Sequence, residues 1–202
     1  MKFKYTILLG LMAIAILYTG LTEASSFAAE KNYTKQIQKI YGDHNFYVLE
    51  NKSPKKTYKF SSSNHTIANV HKNTGYCVIK GPGQCILTVK IKDKKTKKTT
   101  VNQTTLTVKP SAIKNILATK GKGNILFTTW KKDNKNSGYE IEVSNNKTFI
   151  TVLTSKVIKS GSVSSASIKL KTELFNNYVR IRAYKHSNGT TVYGPYNFVK
   201  IK

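Results

Sequence analysis

The only two arginines of the 202-residue chain, Arg180 and Arg182, lie two positions apart in one alternating stretch. Tyr178 and Tyr184 continue the same spacing, and the residues between them are apolar. Because side chains alternate across a strand, all four groups are expected on one exposed face. A guanidinium over a tyrosine ring gives a cation–π contact of about 0.5–1 kcal/mol on such a surface. This candidate strip could hold a sugar ring and its acid group, or it could cover the sheet by packing against the tyrosine-rich segment that follows.

Glu140 and Glu142 form the closest pair of carboxylates in the chain. Their spacing places them on one strand face, about 6–7 Å apart, which is superficially compatible with glycosidase chemistry. Tyr139, Ile141 and Val143 alternate with them as core residues, so the glutamates are expected to face solvent. We interpret them as a charge-balancing surface pair.

The remaining residues with chemical potential do not form a catalytic set. The four histidines are His44, His65, His71 and His186. None has a second histidine at metal-ligand spacing, and none belongs to a nucleophile motif. The chain also lacks a phosphate-cradling glycine loop. We therefore expect no enzyme, no metal and no cofactor.

Cys77 and Cys85 flank a Gly81-Pro82-Gly83 turn signal. In an exported chain the oxidising compartment permits a disulfide, and a bond across a short hairpin is the expected arrangement. A metal site is excluded because two cysteines alone lack the other ligands.

The charge of the chain is extreme, because 34 lysines and arginines oppose 9 acidic residues and leave a formal net charge of +25. Such a chain attracts polyanions. The densest cluster contains Lys92, Lys94, Lys95, Lys97 and Lys98, between two strands, and is expected to be a solvated hairpin tip and a candidate polyanion contact. The alternative is that an AT-rich genome produced the lysine content with no selected ligand.

The N-terminus has the features of a secretory signal peptide over residues 1–28. Lys2 and Lys4 precede an apolar run, and Ser26, Phe27 and Ala28 form a small-x-small cleavage site. An uncleaved membrane anchor is the alternative, since the run is nearly long enough to span a bilayer. Residues 29–34 are expected to be a flexible lead-in.

The rest of the chain consists of short alternating runs separated by Gly, Asn, Ser and Pro, a spacing typical of β-sandwiches. Pro110 stands between two sets of such runs and marks a domain boundary. The first set contains YGDHNF (41–46), YKFSSSNHTIANV (58–70) and GYCVIKGPGQCILTVKI (75–91). These motifs, in this order, resemble bacterial Ig-like domains of group 2, a resemblance that covers residues 35–109.

The second set resembles a fibronectin type III domain over residues 111–202. The matching pieces are ILFTTWKK with Trp130, SGYEIEVSNN with Tyr139, YVRIRAYK and NGTTVYGPYNF. The resemblance departs at the tyrosine corner, where the alternation places Asn177. The expected fold is therefore all-β, with two tandem β-sandwich domains after a signal peptide, as in exported surface proteins of Firmicutes.

These features predict a non-catalytic, secreted or cell-surface binding or adhesion protein that associates with anionic cell-wall or host polymers, such as teichoic acid and glycans, or with a surface protein. One alternative is a carbohydrate-binding accessory module that uses the arginine strip. Another is a structural scaffold that recruits a protein partner. No specific nucleic-acid partner is expected, and no membrane contact after the signal is removed.

Overall fold

The computed structural model describes residues 30–171 and 177–202. The predicted signal peptide lies outside the described residues. Within them, no helix is long and apolar enough to cross a membrane. The only helical segment there is a short 3₁₀ turn at Lys122–Asn124, so the predicted all-β class is confirmed.

The first domain contains seven strands. They are β1 (Glu30–Ile40), β2 (Phe46–Tyr47), β3 (Lys56–Ser62), β4 (Ala68–Val70), β5 (Tyr76–Ile79), β6 (Gly83–Asp93) and β7 (Thr99–Lys109). One sheet has the order β1-β7-β6-β3 and the other the order β2-β5-β4. Alternate residues of β4 and of most of β6 point inward, and buried side chains of the two sheets, such as Phe60, Leu87 and Val70, form one apolar core.

β1 differs from the sequence-based expectation. Residues 30–34 were expected to be a flexible lead-in, but they belong to β1, which pairs in parallel with β7 from Glu30↔Thr100 to Ile40↔Lys109. The segment carries few apolar residues, so its pairing is not visible as hydrophobic alternation. The pairing depends instead on backbone hydrogen bonds to the edge of β7.

The predicted disulfide between Cys77 and Cys85 is wrong in this structure, where both residues are free thiols. The turn at Gly81 does not close a hairpin, because β5 belongs to one sheet and β6 to the other. The two thiols therefore lie in the core between the sheets, and their side chains are 0% and 1% exposed. Burial, together with the nearby Cys85, raises the pKa of Cys77 to about 11, and burial also raises that of Cys85.

A thiol titration should count no reactive group in native protein and two per chain after denaturation without reductant. The native thiols are inaccessible and protonated, so neither forms the reactive thiolate near neutral pH. Denatured protein reduced beforehand sets the full signal. A denatured, unreduced sample with no reactive thiol would show that the two residues are bonded after all.

The second domain contains eight strands. They are β8 (Leu117–Lys120), β9 (Ile125–Thr129), β10 (Gly138–Ser144), β11 (Thr154–Ile158), β12 (Ser165–Lys169), β13 (Tyr178–Ser187), β14 (Thr190–Tyr193) and β15 (Asn197–Lys200). One sheet has the order β11-β10-β13-β14, with β15 also paired to β13, and the other has the order β12-β9-β8. The core between them includes Trp130, whose ring packs edge-on against Tyr139 at 5.1 Å.

Residues 149–153 form a loop, and β11 begins only at Thr154. The side chain of Asn146 organises this loop by accepting hydrogen bonds from the Thr148 hydroxyl at 3.0 Å and from the backbone N–H of Ile150 at 3.4 Å. Phe149 has a φ of 55° and a buried ring. An aromatic residue in the left-handed region is unusual and is held there by its surroundings.

The two domains meet where the β13–β14 turn contacts the start of β6. The Ser187 hydroxyl accepts a hydrogen bond from the backbone N–H of Gln84 at 3.1 Å, and the side-chain amide of Asn188 donates to the Gln84 carbonyl at 3.1 Å. Lys135 also crosses the junction, donating to the Lys80 carbonyl at 2.9 Å. Specific hydrogen bonds therefore orient the domains relative to each other.

Candidate functional site

The two arginines of β13 face two glutamates of β10 across the sheet. The antiparallel register places Arg180 opposite Glu142 and Arg182 opposite Glu140. Arg180 Nη2 lies 2.5 Å from Glu142 Oε2, and Arg182 Nε lies 2.5 Å from Glu140 Oε2. Opposite charges directly across a sheet stabilise the pairing of the strands, so each arginine is neutralised within the fold.

Aromatic rings stack on the same guanidinium groups. Arg182 lies over Tyr193 at 4.1 Å and Tyr196 at 4.4 Å, whereas Arg180 lies over Tyr196 at 4.1 Å and Phe149 at 4.6 Å. The five side chains form a continuous stack in the order Phe149, Arg180, Tyr196, Arg182, Tyr193, which we call the arginine ladder. Phe149 forms one end of this stack. Its left-handed backbone conformation therefore serves to pack its ring against Arg180.

Tyr196 lies at the centre of the arginine ladder and joins it to the ion pairs. Its hydroxyl donates a hydrogen bond to Glu140 Oε2 at 2.9 Å. Burial is the main cause that raises the pKa of Tyr196, and the hydrogen bond to Glu140 raises it further. The phenol therefore stays protonated and acts as a donor at every physiological pH.

The predicted strip of Tyr178, Arg180, Arg182 and Tyr184 does not form one uniformly exposed surface in the structure. Tyr184 is buried, with 5% of its surface exposed, and its hydroxyl donates to the Ile158 carbonyl at 3.2 Å. The arginine side chains are about one quarter exposed, at 24% and 26%. The geometry thus favours the second interpretation of the strip, in which these groups cover the sheet.

The expectation that Glu140 and Glu142 are a solvent-facing pair needs a correction. Their side chains are only 21% and 15% exposed, and each is bound to an arginine. Alternation along β10 placed them correctly on its outer face, but it could not reveal that the facing strand carries both cations. Each glutamate is therefore held in a cross-strand ion pair rather than left free on the sheet surface.

The lysine cluster at residues 92–98 lies at the tip of the β6–β7 hairpin, as predicted, and Lys92, Lys94, Lys95, Lys97 and Lys98 are all exposed. Asp93 organises the tip, since its carboxylate accepts hydrogen bonds from the backbone N–H groups of Thr96 and Lys95, both at 2.9 Å. These bonds lower the pKa of Asp93. Asp93 is the single acidic residue of the tip, and its carboxylate therefore holds the backbone of the turn.

Two further lysines, Lys59 and Lys90, which sequence reasoning missed, extend this positive surface along the outer face of the sheet. Lys90 and Lys92 point outward from β6, and Lys59 of β3 lies directly opposite Lys90 in the ladder. The period-2 alternation of β3 and β6 was visible in the sequence. The register that places Lys59 beside Lys90 was not, because the two strands are about thirty residues apart in sequence.

None of the described histidines forms part of a metal centre, since no group of three or more His, Cys, Asp and Glu side chains within residues 30–171 and 177–202 could hold a metal ion. His71 Nδ1 lies 2.9 Å from the Thr74 hydroxyl, and His186 Nδ1 lies 2.8 Å from the Thr191 hydroxyl. These two rings are engaged in local turns.

No protein-family model matches the chain, and no curated protein sequence matches it significantly. Several solved structures resemble it. The FN1–FN3 domains of chicken CNTN1 are 14% identical with a TM-score of 0.37, over 73% of this chain and 56% of that one. A fibronectin type III domain of human collagen XX is 12% identical with a TM-score of 0.31, over 44% of this chain and 88% of that one. A cytokine receptor complex is 8% identical with a TM-score of 0.45, over 74% of this chain and 86% of that one.

The chain thus spans about half the length of the chicken structure that it resembles. At these identities and TM-scores the likeness carries no argument about what the protein binds. The β-sandwich architecture stands on the described sheets themselves, and the group 2 Ig-like character of the first domain remains a prediction.

Proposed function

We propose that this protein is a non-catalytic, exported binding protein that associates with anionic polymers through the lysine surface of its first domain. One observation carries the proposal. The exposed lysines of the β6–β7 tip continue onto the face of β6 and β3, and the acid of the tip, Asp93, is engaged by backbone N–H groups. The tip carries five lysines against this one aspartate and therefore keeps a net positive charge, and such a surface attracts polyanions from a distance.

The arginine ladder supports a different role for the second domain. Its cations are paired with glutamates and stacked between rings, so they contribute to the cohesion of the sheet. We assign polymer binding to the lysines of the first domain and stability to the arginines of the second.

Co-sedimentation of the protein with purified Gram-positive cell walls tests this proposal. Walls with and without teichoic acid are compared across a salt series. We expect binding to be lost with the teichoic acid, and to weaken at least roughly tenfold between about 50 and 500 mM salt, because exposed charges are screened. Binding that survives both treatments, or no binding at low salt, would contradict the proposal. The second outcome would leave a scaffold for a protein partner.

A variant of the tip locates the binding surface. Replacing Lys92, Lys94, Lys95 and Lys97 by Gln should weaken wall binding by roughly tenfold or more. The matched control replaces four exposed lysines of the second domain, Lys122, Lys131, Lys132 and Lys169, and removes the same charge. Equal losses in the two variants would mean that only the net charge matters.

A further inference from the structure

A groove at the edge of the first domain gathers basic side chains. It encloses about 340 Å³ beside β3 and β4, above a floor of Phe60 and Val70. Its polar lining consists of Lys59, Ser61, His65, Lys72 and Lys90. None of the lining residues is acidic, so three cations converge on one concave site without a carboxylate between them.

The fold holds two of these lysines together at an energetic cost. Lys59 and Lys90 are direct partners in the antiparallel β3–β6 ladder, and both are exposed on the same face. The Cβ atoms of such partners are about 4.5–5.5 Å apart, and like charges in this position are destabilising. Lys59 Nζ donates to Asn73 Oδ1 at 2.7 Å, but a neutral amide does not cancel the charge.

The aspartates of the first domain are engaged elsewhere. Asp43 accepts a hydrogen bond from the backbone N–H of Ile40 at 2.7 Å, and Asp93 binds the backbone of the hairpin tip. Because no lining residue of the groove is acidic, an anion supplied from outside would be the charge partner of the groove. It would also relieve the repulsion between Lys59 and Lys90.

The donor set indicates which anion fits. A lysine ammonium is a compact point charge with three donors, whereas planar carboxylates are matched best by the arginine fork. The groove offers three ammonium groups, the Ser61 hydroxyl and the His65 ring, and both arginines of the chain lie in the other domain. Convergent point donors of this kind suit a tetrahedral oxyanion, that is, a phosphate or sulfate ester.

Lys92 extends the site in one direction. It follows Lys90 by two residues on the outer face of β6, a separation of about 6.5–7 Å along a strand. Beyond it lie the lysines of the hairpin tip. The positive groups thus form a row that starts in the groove and runs along β6, which suits a linear polymer with repeated oxyanions.

We propose that the groove formed by Lys59, Lys72, Lys90 and His65 binds one phosphate or sulfate ester of an anionic polymer, with Lys92 and the tip lysines contacting the groups that follow. This inference rests on the proposed function and assigns its specific subsite. The tip attracts the polymer, and the groove selects tetrahedral oxyanions over carboxylates.

The test compares the double variant Lys59→Gln/Lys90→Gln with the control Lys131→Gln/Lys132→Gln, which removes two exposed lysines from the second domain. The probes are poly(glycerol phosphate), heparin and poly-glutamate, each at equal charge concentration. We expect the double variant to lose roughly tenfold in affinity for the phosphate or the sulfate polymer and the control to lose less than about twofold. Wild-type protein should bind poly-glutamate more weakly than the better of the other two.

Inorganic phosphate provides a second readout that is independent of polymer binding. It should shift the imidazole NMR signal of His65, assigned with a His65→Gln variant, in wild-type protein and not in the double variant. The unliganded double variant should melt roughly 1–4 °C higher than wild type, because a like-charge pair is removed. This increase also shows that the variant is folded.

The results separate the two proposals. The double variant and the control could have equal polymer affinity while the tip variant still loses binding. That result would overturn the proposal that the groove binds an oxyanion, and the proposed function would stand. A phosphate shift at His65 without any polymer binding would overturn the proposed function and leave an oxyanion site. Binding of poly-glutamate as tight as that of both other polymers would overturn the choice of a tetrahedral group.

Discussion

Replacing Gly138 by alanine should destabilise the second domain by roughly 3 kcal/mol or more, the upper range for overpacked sites. Gly138 begins β10, next to the hydrogen bond between the Tyr184 hydroxyl and the Ile158 carbonyl. A Cβ atom there would lie 2.0 Å from the Ile158 carbonyl oxygen and 2.5 Å from the Tyr184 hydroxyl. Neither neighbour can yield cheaply, because one is strand backbone and the other is a buried ring.

Urea unfolding followed by the fluorescence of Trp130 measures this loss. Trp130 is the single tryptophan and is buried in the core of the second domain, so its signal reports that domain. The control is Gly189→Ala. Gly189 has a φ of 74°, but a Cβ atom added to it would have no neighbouring atom within 4 Å, so the control carries only the left-handed penalty of about 1–2 kcal/mol. If Gly138→Ala cost no more than this control, β10 and β11 would not pack as closely as described.

Removing Arg182 should cost about 2–3 kcal/mol, the second large effect that we expect. The change deletes the ion pair with Glu140 and the stacking on Tyr193 and Tyr196. A desolvated cation–π contact is worth up to about 2 kcal/mol. Partial exposure reduces the value of the ion pair, but Glu140, whose side chain is 21% exposed, loses its cationic partner and keeps the hydrogen bond from the Tyr196 hydroxyl.

A double-mutant cycle with Glu140→Gln isolates the pair, and a coupling of about 1 kcal/mol is expected for residues in one network. Arg182→Lys should fall between wild type and Arg182→Ala, because lysine keeps the charge and loses the planar stack. Lys185→Ala, on the same strand, should stay within about 0.5 kcal/mol of wild type. An Arg182→Ala protein with unchanged stability but lost glycan binding would restore the ligand-binding interpretation of the strip.

The second domain shows which features of the fold the alternation of apolar and polar residues can predict. Alternation along β13 correctly predicted that Val179, Ile181 and Ala183 are buried and that the arginines lie on the opposite face. It could not predict that β10 and β13 pair in the register that sets each arginine against a glutamate. That register is the reason why the outer face is a neutralised, stacked surface.

The turn between β5 and β6 in the first domain shows the same limit of prediction from local sequence. The Gly-Pro-Gly signal correctly indicated a change of direction between β5 and β6. Whether a turn joins neighbours in one sheet or leads from one sheet to the other depends on where the next strand finds its partner, and here β6 pairs with β7 and β3. The predicted hairpin disulfide failed for this reason.

The sequence by itself determined the all-β class, the inward positions of most strands, and the lysine-rich tip. These features depend on local composition and on a period of two residues, which a strand imposes whatever its neighbours are. The tertiary structure alone decided the arginine ladder, the free thiols, the basic groove and the contact of the β13–β14 turn with β6. Each of these depends on which distant strands pair and in what register, and that is set by the summed packing of both sheets rather than by any one segment.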